Sequence, residues 1–237
     1  MSTIVNHLGQ PIGEPLPDWH PPTAPARTPI EGRACRLEPL DPQRHAAELF
    51  AGYAEDRAGQ NWTYLPYGPF VDLAGFTAWM QATCLGADPL FFAIVDLADG
   101  RAAGVASYLR ITPASGSIEV GHIHYAPRLQ QTRAATEAMF LMMERAFELG
   151  YRRYEWKCDA LNTPSRAAAI RLGFSFEGLF RQATVYKGRN RDTAWYSIID
   201  REWPALRERF LTWLEPDNFD SQGRQKRPLA TRTGPSS

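Results

Sequence analysis

The sequence is short of cysteine, of net charge and of long apolar runs, and each shortage removes a class of protein. Cys35, Cys84 and Cys158 are odd in number and far apart, which excludes a disulfide framework and shows no zinc-ligand spacing. They read as small buried hydrophobes in a reducing compartment. The 26 basic and 26 acidic side chains cancel to a formal net charge of zero. Nucleic acid and anionic membrane are therefore not expected as main partners, since both favour a basic face. No apolar run approaches the length that crosses a bilayer, and no apolar leader segment stands at the N-terminus, so the cytoplasm is the expected location.

What is present is an ordinary globular composition. With 237 residues, of which 44% are hydrophobic and 22% charged, the chain suits one domain with tails. Residues 1–30 carry Pro11, Pro15, Pro17, Pro21, Pro22, Pro25 and Pro29 without apolar periodicity, and read as an extended arm that Trp19 and His20 could pin to the domain. Residues 31–218 form the domain. Residues 219–237, with Arg224, Lys226, Arg227 and Arg232 among small polar residues, read as a disordered basic tail.

Within the domain, period-two runs predict seven strands, at 34–40, 90–97, 104–111, 117–125, 153–159, 175–186 and 192–199. Helices are predicted from Pro42 to Tyr53, from Val71 to Leu85, from about Thr132 to Leu149 on a stripe of Ala135, Met139, Met142, Ala146 and Leu149, from Thr163 to Leu172, and from Trp203 to Leu214. Thr163 is the expected N-cap of the fourth, with Pro164 at its first position. Asp99 and Gly100 mark a hairpin, and residues 187–190 a second connection.

The segment Leu129 to Ala138 stands between the alternating run 117–125 and an apolar helical pattern ending at Gly150. A turn at 130–135 can aim several backbone N–H groups at one point, where the positive end of the following helix adds to their attraction for a pyrophosphate. Together with Asn162, Ser165, the Leu172, Gly173, Phe174 sequence and Glu177, Gly178, this segment resembles the GNAT superfamily of CoA-dependent N-acetyltransferases. The nearest branch is the ribosomal-protein-alanine (RimJ/RimL) type, and the likeness runs from roughly Arg33 to Leu206.

That resemblance implies an α/β (α+β) fold with a mixed, mostly antiparallel seven-stranded sheet flanked by helices, whose central strands splay around an acyl-CoA. It implies acetyl-CoA as co-substrate, a primary amine as acceptor (a protein N-terminal α-amine or a small molecule), and no metal. A homodimer is left open. The donor would be held by Ile123, His124 and Tyr125 on the bulging strand, by Gln130, Gln131, Thr132, Arg133, Ala134, Ala135 and Thr136 in the phosphate loop, and by Asn162 and Ser165. The family loop has glycine where Arg133 stands. Its guanidinium either folds back onto a phosphate, displaces the loop, or points to solvent.

For the chemistry, Glu119 occupies the acidic position that serves as base in several branches. Its other reading is a strand glutamate facing solvent or paired with an arginine. His122 and His124 are rivals, two residues apart and hence on one strand face with Val120, opposite Glu119, Ile123 and Tyr125. His-x-His without a third ligand nearby is a weak metal signal. The family's acid tyrosine is absent, Ala169 taking its place, and Ser165 matches the proton donor of the RimL-like branch. Trp62, Tyr64 and Tyr67 are candidates for an aromatic wall around the acceptor, or for loop aromatics capping the core. Direct attack of a neutral amine on the thioester is the expected reaction. The alternative is a non-catalytic acyl-CoA-binding sensor, motivated by Arg133 and the missing tyrosine.

Overall fold

The computed structural model describes residues 4–229. In chain order the elements are β1 (Ile30–Glu31), β2 (Cys35–Pro39), α1 (Pro42–Tyr53), α2 (Leu73–Thr83), β3 (Leu90–Asp96), β4 (Arg101–Thr112), β5 (Ser117–Tyr125), α3 (Arg133–Glu148), β6 (Arg153–Asp159), α4 (Thr163–Arg171), β7 (Ser175–Tyr186), β8 (Arg189–Ile199) and α5 (Trp203–Leu214). The strands make one sheet in the order β1-β2-β3-β4-β5-β6-β8-β7. Every adjacent pair is antiparallel except β5 and β6. The sheet has eight strands where seven were expected, because Ile30 and Glu31 pair with Leu37 and Arg36 at its edge.

Strand alternation divides the apolar residues between two cores. Phe92, Tyr108, Val120 and Tyr154 face α3 and α5, meeting Met139, Met142 and Phe210. Phe91, Ala93 and Val105 face α1 and α2, meeting Leu49, Tyr53, Phe76 and Met80. Each of the larger aliphatic and phenylalanine side chains among them contributes about 1.5–3 kcal/mol relative to exposure. Helix α3 is buried well beyond its expected stripe, since Phe140, Leu141 and Met143 are also inside. It lies between the sheet and α5, so it has few solvent-facing positions. Glu137 anchors it from within. Its buried carboxylate accepts the backbone N–H groups of Arg33, Ala34 and Cys35 at 2.9, 2.6 and 2.9 Å, which locks α3 to the β1–β2 turn.

Three local expectations change. The N-cap of α4 is Asn162, whose Oδ1 accepts from Ser165 N, so Thr163 is the first helical residue. The β7–β8 connection is the two-residue turn Lys187–Gly188, both at positive φ, which suits a tight hairpin and starts β8 at Arg189. The segment 219–229 is not a disordered tail. Phe219 pairs with Gln225, Gln225 accepts from Trp213 Nε1 at 2.9 Å, and Leu229 is buried in the α3 core. Residues 230–237 of that expected tail lie outside the described residues.

The proline-rich arm is anchored through its second half, whereas its start is not extended: Val5 pairs with Pro11 and Ile12 N donates to Ile4 O, closing an exposed turn. Arg145 donates to Thr28 and Pro29 carbonyls at 3.2 Å each, and Arg27 donates to the Gly86 carbonyl. A Cβ at Gly116, which sits at φ 63°, would meet Trp19 at 3.0 Å, so that indole packs directly on the β4–β5 turn.

Candidate active site

Strands β5 and β6 run in parallel only from Ser117↔Arg153 to Val120↔Trp156. Beyond that rung β5 continues with β4 and β6 with β8, so the two part. The backbone edge of Gly121–Tyr125 that faces β6 has no strand partner. The opening widens into a cleft of about 1510 Å³. It is bounded at one end by the start of α3 and at the other by the loop before α2 and the last turn of β6.

The β5 backbone carries a bulge at the mouth of the split. Val105 pairs with His124 and Ser107 with Gly121, so two steps on β4 oppose three on β5, and His122 takes φ 51°. The extra residue reverses the alternation expected from spacing alone. Glu119, opposite Leu109, now shares the α1/α2 side of the sheet with His124, opposite Val105, and His122 joins them by stacking on Tyr67 and packing at a tilt against Phe91. Ile123 and Tyr125 pack against the α3 core instead. The sequence placed the histidines opposite Glu119; the bulge corrects this.

The three candidate bases sit in different surroundings. Glu119 is 2% exposed, and both its oxygens are taken. Arg110 approaches it with Nε at 2.6 Å and Nη2 at 2.5 Å, and Lys157 Nζ lies 2.9 Å from Oε2. His124 is sealed between Tyr53 and Trp62, its Nε2 without a partner, and burial pushes its pKa down to about 3. His122 lines the cleft with Nδ1 3.1 Å from the Tyr67 hydroxyl, and burial, aided by Arg110, lowers its pKa to about 4. Both imidazoles are neutral near pH 7.

At the α3 end, Gln130, Gln131, Thr132, Arg133, Ala134, Ala135 and Thr136 all line the cleft, and Ile123, His124, Tyr125, Asn162 and Ser165 line it too. Thr132 is the N-cap of α3 and accepts from Ala135 N at 3.1 Å. Gln131 is left-handed at φ 62°, which turns the chain into the helix. The N–H groups of Gln131, Arg133 and Ala134 have no acceptor among the described residues, so this turn fits a phosphate. Arg133 neither blocks it nor points to solvent. Its Nη2 donates to the Leu214 carbonyl and its guanidinium lies 5.0 Å over the Phe219 ring. Asn162 Oδ1 is used in capping α4, and Ser165 Oγ accepts from Trp156 Nε1 at 3.1 Å, with the Cys158 sulfur within reach of its hydroxyl. Ala169 is buried in the core, while Ala168 faces the cleft.

On the far side only Tyr64 of the three aromatic candidates reaches the cleft. Trp62 and Tyr67 stand behind it, packed on His124 and His122. Three bonds tie the Tyr64 loop down: Lys187 Nζ donates to Trp62 O at 2.8 Å, Arg189 Nη2 to Thr63 O at 2.9 Å, and the Tyr64 hydroxyl to Leu161 O at 3.1 Å. Lys157, Arg110 and Arg171 line the cleft and were not singled out from sequence. A signal existed for the first: Arg153, Glu155 and Lys157 alternate along β6, which places three charges on one strand face. Among the described residues no group of His, Cys, Asp or Glu is arranged to hold a metal ion. No helix among them is long and apolar enough to cross a membrane.

Comparison with known proteins agrees with this geometry. A crystal structure of a GCN5-related N-acetyltransferase from Brucella melitensis is 51% identical, superposes with a TM-score of 0.88, and matches 90% of this chain and 97% of its own. A GNAT-family protein from Chromobacterium violaceum is 44% identical with a TM-score of 0.77, over 82% of this chain and 98% of its own. The self-immunity acetyltransferase MccE, solved with acetyl-CoA and AMP, shares the fold at 21% identity and a TM-score of 0.62, over 71% of this chain and 93% of its own. No curated protein matches the sequence. The acetyltransferase (GNAT) domain family matches residues 35–175, and with that span and these relatives the chain belongs to the GNAT acetyltransferase family.

Proposed function

We propose that the protein is an N-acetyltransferase that uses acetyl-CoA, as this family does, to acetylate the primary amine of a small molecule. The observation that carries the reading is the parting of β5 and β6 beyond Val120 and Trp156, directly beside the unpartnered N–H groups of Gln131, Arg133 and Ala134. Those amides would hold the pyrophosphate, and the free edge of Gly121–Tyr125 would pair with the pantetheine arm and orient the thioester. When bound, acetyl-CoA supplies an acyl group already activated for attack.

His122 is the proton acceptor in this reading. To serve, it carries its own proton on Nδ1, donated to the Tyr67 oxygen, and keeps the Nε2 lone pair for the amine. A pKa of about 4 makes it a weak base. It suffices because the nitrogen's protons become acidic as the C–N bond forms, and because a desolvated site already favours a neutral amine. Glu119, held by Arg110 and Lys157, positions those cations instead of taking the proton. Ser165, whose Oγ accepts from Trp156, donates to the departing sulfur by turning its hydroxyl from the Cys158 thiol.

A small acceptor is favoured over a protein N-terminus, the substrate that the RimJ/RimL likeness suggests, because the Tyr64 loop is strapped to the β7–β8 hairpin and to the β6–α4 loop. The test is thiol release from acetyl-CoA against a panel of small amines and α-amino peptides. Release with small amines supports the reading, release with peptides alone overturns the acceptor class, and binding without release on any acceptor restores the sensor.

A further inference from the structure

Two arginines at the outer end of the cleft lack acidic partners. Arg171, the last residue of α4, donates Nη1 to Thr136 Oγ1 at 3.2 Å and lies 5.2 Å over the Trp213 ring. Arg133 lies over Phe219, and its Nε is buried without a partner. Neither makes an ion pair among the described residues, and burial without a counter-charge lowers the Arg171 pKa from its ordinary value. A partly desolvated guanidinium that meets no carboxylate is costly, and an incoming anion relieves that cost. Both arginines face the same space as the free amides of α3, so three sources of positive potential converge there.

The segment that stages them is Trp213–Gln225. Its two aromatic rings stack under the two guanidiniums, and it is pinned by Gln225 to Trp213 and by Asn218, which donates to Trp213 O at 2.9 Å and accepts from Arg227 N at 2.9 Å. Gln222, Gly223, Arg224 and Gln225 close the rim of the cleft above them.

We propose that Arg171, with Arg133 beside it, forms a phosphate subsite for the nucleotide end of the donor, and that the C-terminal segment Trp213–Gln225 is the wall that builds it. This rests on the acetyl-CoA reading above. In that role the rings fix the guanidinium planes, and Arg133 needs only to exchange the Leu214 carbonyl for a phosphate oxygen. The glycine-to-arginine departure in the loop and the folded C-terminal segment then belong to one device.

The test is calorimetric titration of the full-length chain with acetyl-CoA and with its 3′-dephospho analogue, for the wild type, Arg171→Gln, Arg171→Lys and Phe219→Leu. Arg171→Gln is expected to raise Kd for acetyl-CoA by about tenfold, the scale of one charge-assisted bond, and to flatten the dependence of Kd on salt. Arg171→Lys should recover only part of that loss, because it keeps the charge but not the planar fork that stacks on Trp213, and Phe219→Leu should weaken binding through Arg133 even if the Arg171 variants fold poorly. A penalty that disappears with the dephospho analogue assigns the 3′-phosphate, and one that persists assigns the pyrophosphate; either supports the subsite. Equal Kd values and salt slopes for Arg171→Gln, Phe219→Leu and wild type would overturn it while leaving the donor site intact. If the wild type does not bind acetyl-CoA at all, the donor reading itself fails.

Discussion

Lys157, the first residue of β6 past the last paired rung, reaches back to Glu119 at 2.9 Å across the point where the strands part. Its ammonium also meets Glu155 at 2.7 Å and lies 3.8 Å over the Trp195 ring. The pair is buried, at 8% and 2% side-chain exposure, so neither charge is screened as a surface pair would be.

Glu119→Gln should therefore act first on stability. Removing one member of a buried pair costs about 3–5 kcal/mol when the other is stranded, but Lys157 keeps Glu155 and Arg110 is partly exposed. A loss of about 2 kcal/mol in urea unfolding is expected, with acetyl-CoA affinity unchanged. A variant as stable as wild type that has lost turnover by orders of magnitude would return Glu119 to the role of base.

His122→Phe keeps the ring contacts with Tyr67 and Phe91 while removing the nitrogen. The expectation is a fall in kcat of about 10²-fold, the low end for a positioned base because its pKa is far below the working pH. Tyr67→Phe should cost less, since it removes only the group that selects the Nδ1 tautomer. With a pKa of about 4, His122 stays in its base form, so it contributes no inflection to kcat/KM between about pH 6 and 9. An inflection that vanishes in the His122 variant would contradict the neutral, buried imidazole.

Acid should unfold the protein through the same residues. The folded pKa values of His122 and His124, about 4 and about 3, lie below the unfolded value of about 6.5. Stability from these groups is therefore complete above about pH 6.5 and is lost as pH falls towards the folded values, because the unfolded chain binds protons first. By about pH 5 each accounts for up to about 2 kcal/mol of loss. Urea midpoints measured from pH 7 to 4.5 should fall more steeply for wild type than for His124→Phe, and parallel curves would refute the assignment.

The turn into α3 and the start of α4 were legible from sequence because their parts are local. A helix start near Thr132, an apolar period after it and a proline beside Asn162 lie within one or two turns of the atoms they position. The bulge at His122 was not, since alternation along β5 is broken by its register with β4, which no window of β5 alone contains. The partners of Glu119 were hidden for the same reason, as Arg110 and Lys157 arrive from the strands on either side. The segment after Phe219 looked like a tail because Phe219 and Leu229 are isolated anchors in polar sequence, and their burial depends on α3 and α5 being in place. Trp62 and Tyr67 carried the right chemistry for an acceptor wall, but the histidines occupy their faces.

The strap over the acceptor side yields the last prediction. Lys187 lies in the tight turn between β7 and β8 and Arg189 follows it, and each donates to a backbone carbonyl of the Tyr64 loop. Replacing both by alanine leaves Trp62 and Thr63 carbonyls to water and removes two charge-assisted bonds worth less than about 1.5–3 kcal/mol each, since both side chains are exposed. The loop should then open without unfolding, since Trp62 remains packed on Tyr53 and Phe70. KM for a small amine is expected to rise by about tenfold with kcat and acetyl-CoA affinity little changed, the pattern of lost ground-state binding. Peptide acceptors, excluded by the strap, should gain in kcat/KM from the same change. A double variant whose KM matches wild type for every amine tested would separate the Tyr64 loop from acceptor binding altogether.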